Sequence, residues 1–302
     1  MMVDRCLREF LEDLELERGR SQKTVENYGH YLRRFFAREK IKSAGDITEN
    51  KVREFRLWLN RINGDGLSVR TRNYHLIALR MFLKYLAKRD IEALAAEKIE
   101  LAKVPERDID IPRHDDLERL LEAPEKMSLS AARRTRDRAM LELLFSTGLR
   151  VSELCALNRD SVDLARDEFS VRGKGSKIRL VFLSRAAKDA LKKYLDSRGD
   201  IEEALFAGTQ KKSASRRTIR LTTRQVERLV RRYAIVAGIP GKVTPHTLRH
   251  LFATDLLMNG ADIRSVQAML GHSSITTTQI YTHMTDRQLR EVHKTFHNKQ
   301  KK

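Results

Sequence analysis

The sequence predicts a mainly α-helical protein with a small antiparallel β-hairpin in its second half, an α+β fold built as two domains. Apolar residues recur every three or four positions along most of the chain, which is typical of amphipathic helices. Strict alternation of apolar and polar residues occurs only around residues 168–182, where it indicates two short strands. With 302 residues, 41% of them hydrophobic, the chain is long enough to form two separate cores.

The boundary between the two domains is predicted from a loss of periodicity. There the apolar pattern fades, charges alternate, and Pro105 and Pro112 interrupt any helix. We therefore expect an N-terminal helical domain over residues 1–96, a linker over 97–112 and a second domain over 113–302.

The N-terminal domain is predicted to be a bundle of four helices. Ser21, Thr48 and Ser68 can each cap a helix start, because their hydroxyls accept a backbone N–H of the first turn. Basic side chains are distributed around the fourth helix, so the bundle carries positive charge. The apolar stripes of the four helices consist of Val3, Leu7, Phe10, Leu11 and Leu14; Val25, Tyr28, Leu32, Phe35 and Phe36; Val52, Phe55, Leu59 and Ile62; and Leu76, Leu79, Leu83 and Leu86.

The second domain is predicted to have helices on both sides of the hairpin. A long helix ends at Thr147-Gly148, since glycine readily adopts the left-handed conformation that ends a helix. The glycine-containing segment 173–176 joins the two strands. The apolar positions are Leu117, Leu120 and Leu121 before Pro124; Met140, Leu143 and Leu144; Phe169 and Val171, then Ile178, Leu180 and Phe182, in the strands; and Ala187, Leu191, Leu195, Val226, Leu229, Val230 and Tyr233 in the later helices.

Composition indicates the class of partner and the compartment. The chain has 60 Lys and Arg against 41 Asp and Glu, and this formal charge of +19 favours nucleic acid, although ribosome binders and membrane-surface proteins share such a composition. No run of about 18 apolar residues and no signal-peptide pattern occurs, so we expect a soluble cytoplasmic protein. Cys6 and Cys155 have no neighbours at metal-ligand spacing and are expected to be free thiols.

The most informative segment is Thr244-Pro245-His246-Thr247-Leu248-Arg249-His250. Threonine before proline predicts a helix start, so His246 and Arg249, three positions apart, share a face near that start. Unpaired backbone N–H groups and the helix dipole favour an anion there, and Arg249 could hold two phosphate oxygens. The alternative is a capped helix with a surface arginine and a packed histidine.

A second informative segment follows a helix end at Gly271. His272 is held on this turn, and Tyr281 follows nine residues later. Tyrosines usually serve packing, and a phenol with a pKa near 10 attacks phosphorus only if its phenolate is stabilised or its proton is accepted. Tyr281 is therefore either a core residue or a nucleophile.

Three residues of the earlier part of this domain are further candidates. Arg150 follows a helix end and Lys174 lies in the hairpin turn between glycines, where the backbone could approach DNA closely. A lone basic residue in either position is usually a solvated surface charge. Glu153, one helical turn after Arg150, either orients a basic side chain or forms a surface ion pair.

Together these residues identify a family resemblance. Six of them, in their order and local contexts, are similar to the pattern of the tyrosine recombinases, the phage integrase family, and the short loops look most like the Xer type, which resolves chromosome dimers. The resemblance covers nearly the whole chain and leaves no position of the pattern vacant. The six are Arg150, Lys174, His246, Arg249, His272 and Tyr281.

The resemblance implies a role for each residue. Tyr281 would be the nucleophile that forms a 3′-phosphotyrosyl bond with DNA, Arg150 and Arg249 would clamp the scissile phosphate, and Lys174 would be the general acid. His246 and His272 would assist. No metal ion and no other cofactor is expected, because the basic residues stabilise the charge and the phosphotyrosyl bond retains the energy needed for rejoining.

The resemblance also implies partners. The two basic domains would form a C-shaped clamp on a double-stranded recombination site, as a tetramer on two sites, with the helix of residues 284–302 docking onto a neighbouring subunit. A paralogous recombinase and a DNA translocase activator are further partners of such enzymes. Candidate DNA contacts are Arg70, Arg72, Arg217, Arg220 and Arg224.

Four alternatives remain open from the sequence. An integrase of an integron, transposon or phage would use the same active site. A type IB topoisomerase would use similar chemistry on one duplex, and a non-catalytic DNA-binding protein would explain the charge and the helices but not the six residues. A metal-dependent nuclease fits least, since no convincing Asp/Glu cluster is present.

Overall fold

The structure is a computed structural model, and it describes residues 2–62, 64–104, 112–173, 178–208 and 219–271. The chain divides between residues 108 and 109 into two compact units. Helices predominate, and the described strands form small antiparallel pairs, which confirms the predicted fold class. Within the described residues, no helix is both long and apolar enough to span a membrane.

The first unit contains the four predicted helices, and three of their predicted caps are present. The Ser21, Thr48 and Ser68 hydroxyls accept backbone N–H groups of the first turn, as their sequence positions indicate. The helices span Val3–Leu16 (α1), Gln22–Glu39 (α2), Glu49–Arg61 (α3) and Val69–Ala87 (α4).

Aromatic rings fill the core of this unit. Phe10 of α1 contacts Phe82 of α4 edge to face, with ring centroids 5.5 Å apart, and Phe35 of α2 contacts Phe55 of α3 in the same way at 5.0 Å. All four rings are buried. Phe36 of α2 also contacts Phe82 of α4, at 5.5 Å, which connects the two pairs. Each buried ring removes a large apolar area from water, so these contacts join the four helices into one core.

The segment that follows α4 packs back onto the first unit. Ile99 is buried in the same core as the four helices. The side-chain amide of Asn73 donates to the carbonyl of Ala102 at 2.7 Å, and its oxygen accepts from the Ala102 N–H at 3.1 Å. The first residues of the proposed 97–112 linker are thus held by α4.

The second unit is built around a long central helix. This helix, α6 (Ala131–Thr147), is buried along much of its length and packs against α8 (Arg185–Asp196) and α10 (Pro245–Met258). It ends at Gly148, which adopts the predicted left-handed conformation with φ +58°. The helices span His114–Glu122 (α5), Ala131–Thr147 (α6), Val151–Ala156 (α7), Arg185–Asp196 (α8), Thr223–Val236 (α9), Pro245–Met258 (α10) and Ile263–Leu270 (α11).

The predicted hairpin is present, with strands β1 (Glu168–Arg172) and β2 (Ile178–Phe182) paired in antiparallel register. In β1 the alternating residues Phe169 and Val171 face the core. In β2 the buried residue is Val181 instead, and the apolar stripe of Ile178, Leu180 and Phe182 is exposed. The inward-facing positions of β2 are therefore 179 and 181.

The structure has a second pair of strands that the sequence did not predict. Ala207–Gly208 (β3) pairs antiparallel with Ile219–Arg220 (β4). Two residues per strand are too short to show alternation, so no periodic signal marks them.

Candidate active site

The N-terminus of α10 holds two of the six predicted residues. Thr244 caps the helix by accepting the N–H of Thr247, and Pro245 occupies the first helical position, as expected. This places His246 in the first turn, where its ring contacts that of His250 at a centroid distance of 4.3 Å. Desolvation of the ring, together with the charges of nearby arginines, lowers the pKa of His246 and favours its neutral form.

Arg249 lies one turn further along α10 and is buried, with only 2% of the residue exposed. Its two terminal nitrogens donate to the carbonyl oxygens of Gly148, at the end of α6, and of Leu270, at the end of α11. A buried guanidinium is stable only when its donors have partners, and these carbonyls are among them. Arg249 thus ties three helices together at one point.

Arg150 lies at the cap position before α7 and reaches the same point. Its Nη2 donates to the carbonyl of Gly271 at 3.0 Å, and its Nη1 donates to Glu153 Oε1 at 2.8 Å. About a third of the Arg150 side chain, 32%, is exposed. Arg150 and Arg249 therefore approach the end of α11 from different elements, and Arg150 keeps access to solvent.

Glu153 forms a buried ion pair, not a surface one. Its side chain is 5% exposed and also accepts the backbone N–H of Arg150 at 2.8 Å. Both of its oxygens bind Arg179, at 2.8 and 2.7 Å. Burial alone would raise the pKa of Glu153, but the hydrogen bonds from Arg179 and Arg150 outweigh it and lower the pKa to about 2.

Arg179 is a residue of this cluster that the sequence interpretation missed. It occupies an inward-facing position of β2, opposite Val171 of β1. A charged residue on the core side of a hairpin requires a buried partner of opposite charge, and the alternation of β2 read from Val181 would have revealed its direction. Its partner, Glu153, lies 26 residues earlier and carries no sequence signal of this pairing.

Gly148 is required by its surroundings as well as by its backbone conformation. A Cβ atom at this position would lie 2.5 Å from Cδ1 of Phe252, well inside van der Waals contact. The absence of a side chain lets α6 end directly beside α10, with the Gly148 carbonyl in reach of Arg249.

The proposed DNA contacts differ in their surroundings. Arg70 on α4 and Arg224 on α9 are exposed. Arg72 donates to the side chain of Asn60 within the first unit. Arg220 of β4 donates to the carbonyls of Cys155 and Leu157 at 2.9 and 2.7 Å and to the side chain of Asn158, contacts that stabilise the fold.

The remaining predicted residues, Lys174, Arg217, His272 and Tyr281, lie outside the described residues. Gly173 and Gly271, which directly precede Lys174 and His272, are described. In the described part of the chain, no group of three or more metal-binding side chains occurs.

Comparison with known proteins gives matches in both units. Residues 112–288 match the phage integrase family, and residues 7–90 match the N-terminal SAM-like domain of phage integrases. The tyrosine recombinase XerD of Oceanobacillus iheyensis is 36% identical over 98% of this chain and 99% of its own length. The tyrosine recombinase XerC of Thermodesulfovibrio yellowstonii is 38% identical over 95% of this chain and 94% of its own length.

Solved structures agree with these matches. The crystal structure of XerA recombinase is 33% identical, with a TM-score of 0.53 over 97% of this chain and 98% of that one. The XerH site-specific recombinase, bound to its difH substrate in a pre-cleavage complex, is 26% identical, with a TM-score of 0.69 over 91% of this chain and 80% of that one. The chain therefore belongs to the phage integrase family, the tyrosine recombinases.

Proposed function

We propose that this chain is a site-specific DNA recombinase of the Xer type, which cleaves and rejoins DNA through a covalent bond between Tyr281 and a 3′ phosphate. The observation that carries the proposal is the convergence of Arg150 and Arg249 on the end of α11. The segment that contains His272 and Tyr281 begins directly after this point. Membership of the tyrosine recombinase family supports the same chemistry.

The arginines suit the charge that develops during attack on a phosphodiester. In-line attack spreads negative charge over the non-bridging oxygens of phosphorus, and fixed cationic donors stabilise that charge. A guanidinium has five N–H donors, and the described side-chain contacts of Arg150 are made through its Nη1 and Nη2. A planar fork that is already anchored and partly exposed can bind phosphate oxygens without first becoming ordered.

Proton transfer falls to the other residues of the site. The neutral imidazole of His246, favoured by its lowered pKa, can accept a hydrogen bond or a proton near the phosphate. Lys174 would protonate the departing 5′ oxygen, and His272 would stabilise the phosphate. The phosphotyrosyl bond conserves the energy of the broken linkage, so a 5′ hydroxyl of a second strand can reverse the step.

The two units would bind one duplex together. In this proposal residues 1–96 and 113–302 form the two arms, joined by residues 97–112, and the exposed Arg70 and Arg224 contact phosphates. Recombination of two sites requires a tetramer, in which residues 284–302 would dock onto a neighbouring subunit. The role we propose is resolution of chromosome or plasmid dimers in the cytoplasm, with a paralogue or a translocase as further partners. The similarity to the XerD and XerC recombinases supports the Xer type of enzyme.

The decisive experiment captures the covalent intermediate. A duplex that binds the full-length protein is selected from random sequences, nicked close to its centre so that cleavage releases a short fragment, and incubated with the protein in EDTA. We expect a protein–DNA adduct that is lost in Tyr281→Phe. The matched control is Tyr194→Phe, whose ring is buried and stacked on Phe206 in the same unit, and which should still form the adduct.

The outcomes separate the alternatives. Loss of cleavage in EDTA would support a metal-dependent nuclease, and an adduct that persists in Tyr281→Phe would refute the proposed nucleophile. Absence of an adduct with any selected duplex would favour a DNA-binding protein without catalysis. Relaxation of single plasmids without exchange between two sites would identify a topoisomerase.

A further inference from the structure

The C-terminus of α11 is bound by three arginines from three different elements. Arg179 Nε donates to the carbonyl of Met269 at 3.0 Å, and Arg249 and Arg150 donate to the next two carbonyls in the chain, those of Leu270 and Gly271. The last carbonyls of a helix have no partners within it and carry the negative end of the helix dipole, so cations are favoured there. Two of these arginines belong to the proposed phosphate clamp, and Arg179 does not.

Glu153 connects Arg179 to the clamp. Its Oε1 accepts from the side chains of Arg150 and Arg179, and its Oε2 accepts from the Arg150 backbone N–H and from Arg179. An ionised carboxylate has about four acceptor positions, so these four hydrogen bonds occupy them all. Glu153 is therefore held from both sides, and its orientation depends on Arg179 as much as on Arg150.

The contacts made at position 179 require an arginine. Its Nη1 and Nη2 bind one carboxylate oxygen each while its Nε binds the Met269 carbonyl, and the side chain is only 10% exposed. A lysine carries the same charge but is a single point donor on a flexible chain, and cannot make these three contacts at once. Charge and shape can thus be tested separately at this position.

We infer that Arg179 is a positioning residue of the recombination site, which sets the orientation of the Arg150 guanidinium through Glu153 and fixes the end of α11 against it. This inference rests on the proposed function. We assign Arg179 no contact with the phosphate, because all three of its guanidinium nitrogens bind within the protein, two to Glu153 and one to the Met269 carbonyl. Its removal should therefore slow the chemical step more than it weakens DNA binding.

The test measures the two effects separately in the full-length protein. With the nicked duplex described above, the first-order rate of adduct formation is determined at saturating protein, and the Kd for the same duplex is determined by titration. We expect Arg179→Met to lower the rate at least about tenfold and to change the Kd less than about threefold, because a small misplacement of a catalytic group is costly. Arg179→Lys should remain at least about fivefold slower than the wild type, since charge alone does not restore the fork.

A matched control identifies a purely structural effect. Arg198 is also a buried arginine of the second unit, and it binds the carboxylate of Asp200 and the carbonyls of Ala204 and Leu205. Arg198→Met should lower the free energy of unfolding. The fraction of this variant that remains folded should form the adduct at the wild-type rate. An equal loss of rate in Arg198→Met and Arg179→Met would overturn the inference.

Two further readouts complete the test. Glu153→Gln and Arg179→Met should be non-additive, with the double variant within about threefold of the slower single variant, because both changes break one connection. Hydrogen exchange of the free protein should rise in Arg179→Met at residues 150–154 and 263–271 and stay unchanged in α9. Full additivity, an unaltered exchange pattern or a loss confined to Kd would overturn the role of Arg179, whereas failure of the wild type to form an adduct would overturn the proposed function itself.

Discussion

Replacing Glu153 by glutamine tests the ion pair on which the candidate active site is built. The pKa of this carboxyl is lowered from its usual 4.5 to about 2, so the folded state prefers the ionised form. That difference corresponds to about 3 kcal/mol of stability at neutral pH. Because the folded pKa lies below the unfolded one, this stability is fully present above about pH 4.5 and is lost as the pH falls towards 2.

Glutamine approximates the protonated carboxyl, so Glu153→Gln should lower the free energy of unfolding by about 3 kcal/mol at pH 7. At pH 3 the wild type has lost part of the same stabilisation, and the difference should shrink to about 1.5 kcal/mol. Urea unfolding followed by circular dichroism measures this difference at each pH. Trp58 is the single tryptophan and lies in the first unit, so its fluorescence provides an internal reference for the unfolding of that unit.

The comparison of two proteins at each pH cancels the titration of the other carboxyls. The exposed Glu168 on β1 offers a matched control, and Glu168→Gln should change the free energy of unfolding by less than about 0.5 kcal/mol at both pH values. A difference below about 1 kcal/mol for Glu153→Gln at pH 7, or one that is the same at pH 7 and pH 3, would refute the reasoning.

Two further changes test the backbone contacts. Gly148→Ala should destabilise the second unit by about 2–4 kcal/mol, because it adds left-handed strain and a clash with Phe252. The control Gly241→Ala, with φ +83° and open space around it, should cost only about 1 kcal/mol. Equal effects of the two changes in thermal unfolding would show that the clash at Gly148 is relieved freely. Asn73→Ala removes the two hydrogen bonds to Ala102, which together contribute about 1–3 kcal/mol. The segment around Ala102 should therefore be released and be cleaved faster by a protease, and an unchanged cleavage rate would contradict this.

Local features of the sequence predicted much of the fold. The caps at Thr48 and Thr244 and the helix ends at Gly148 and Gly271 are each determined by a few adjacent residues, and the structure has all four where expected. Such signals act over one helical turn, so they survive in any tertiary context that accepts the helix.

What the sequence did not predict depends on distant residues. The pairing of Glu153 with Arg179 joins a helix to a strand across the fold, and nothing near either residue indicates the other. In β2 the apolar residues that alternate most clearly, Ile178, Leu180 and Phe182, are exposed, whereas Val181 on the opposite side faces the core. Arg220 looked like a surface cation, and only the fold reveals the carbonyls that bind it.

The three arginines at the end of α11 bind backbone carbonyls, which every amino acid possesses. The side chains of Met269 and Leu270 therefore take no part in these contacts, and a substitution there that preserves the helix leaves the acceptors in place. Glu153 and Arg179, by contrast, recognise each other through side chains, so a change in one demands a change in the other. Across related recombinases we accordingly expect positions 153 and 179 to vary together, while position 269 varies independently of the arginines that hold the helix end.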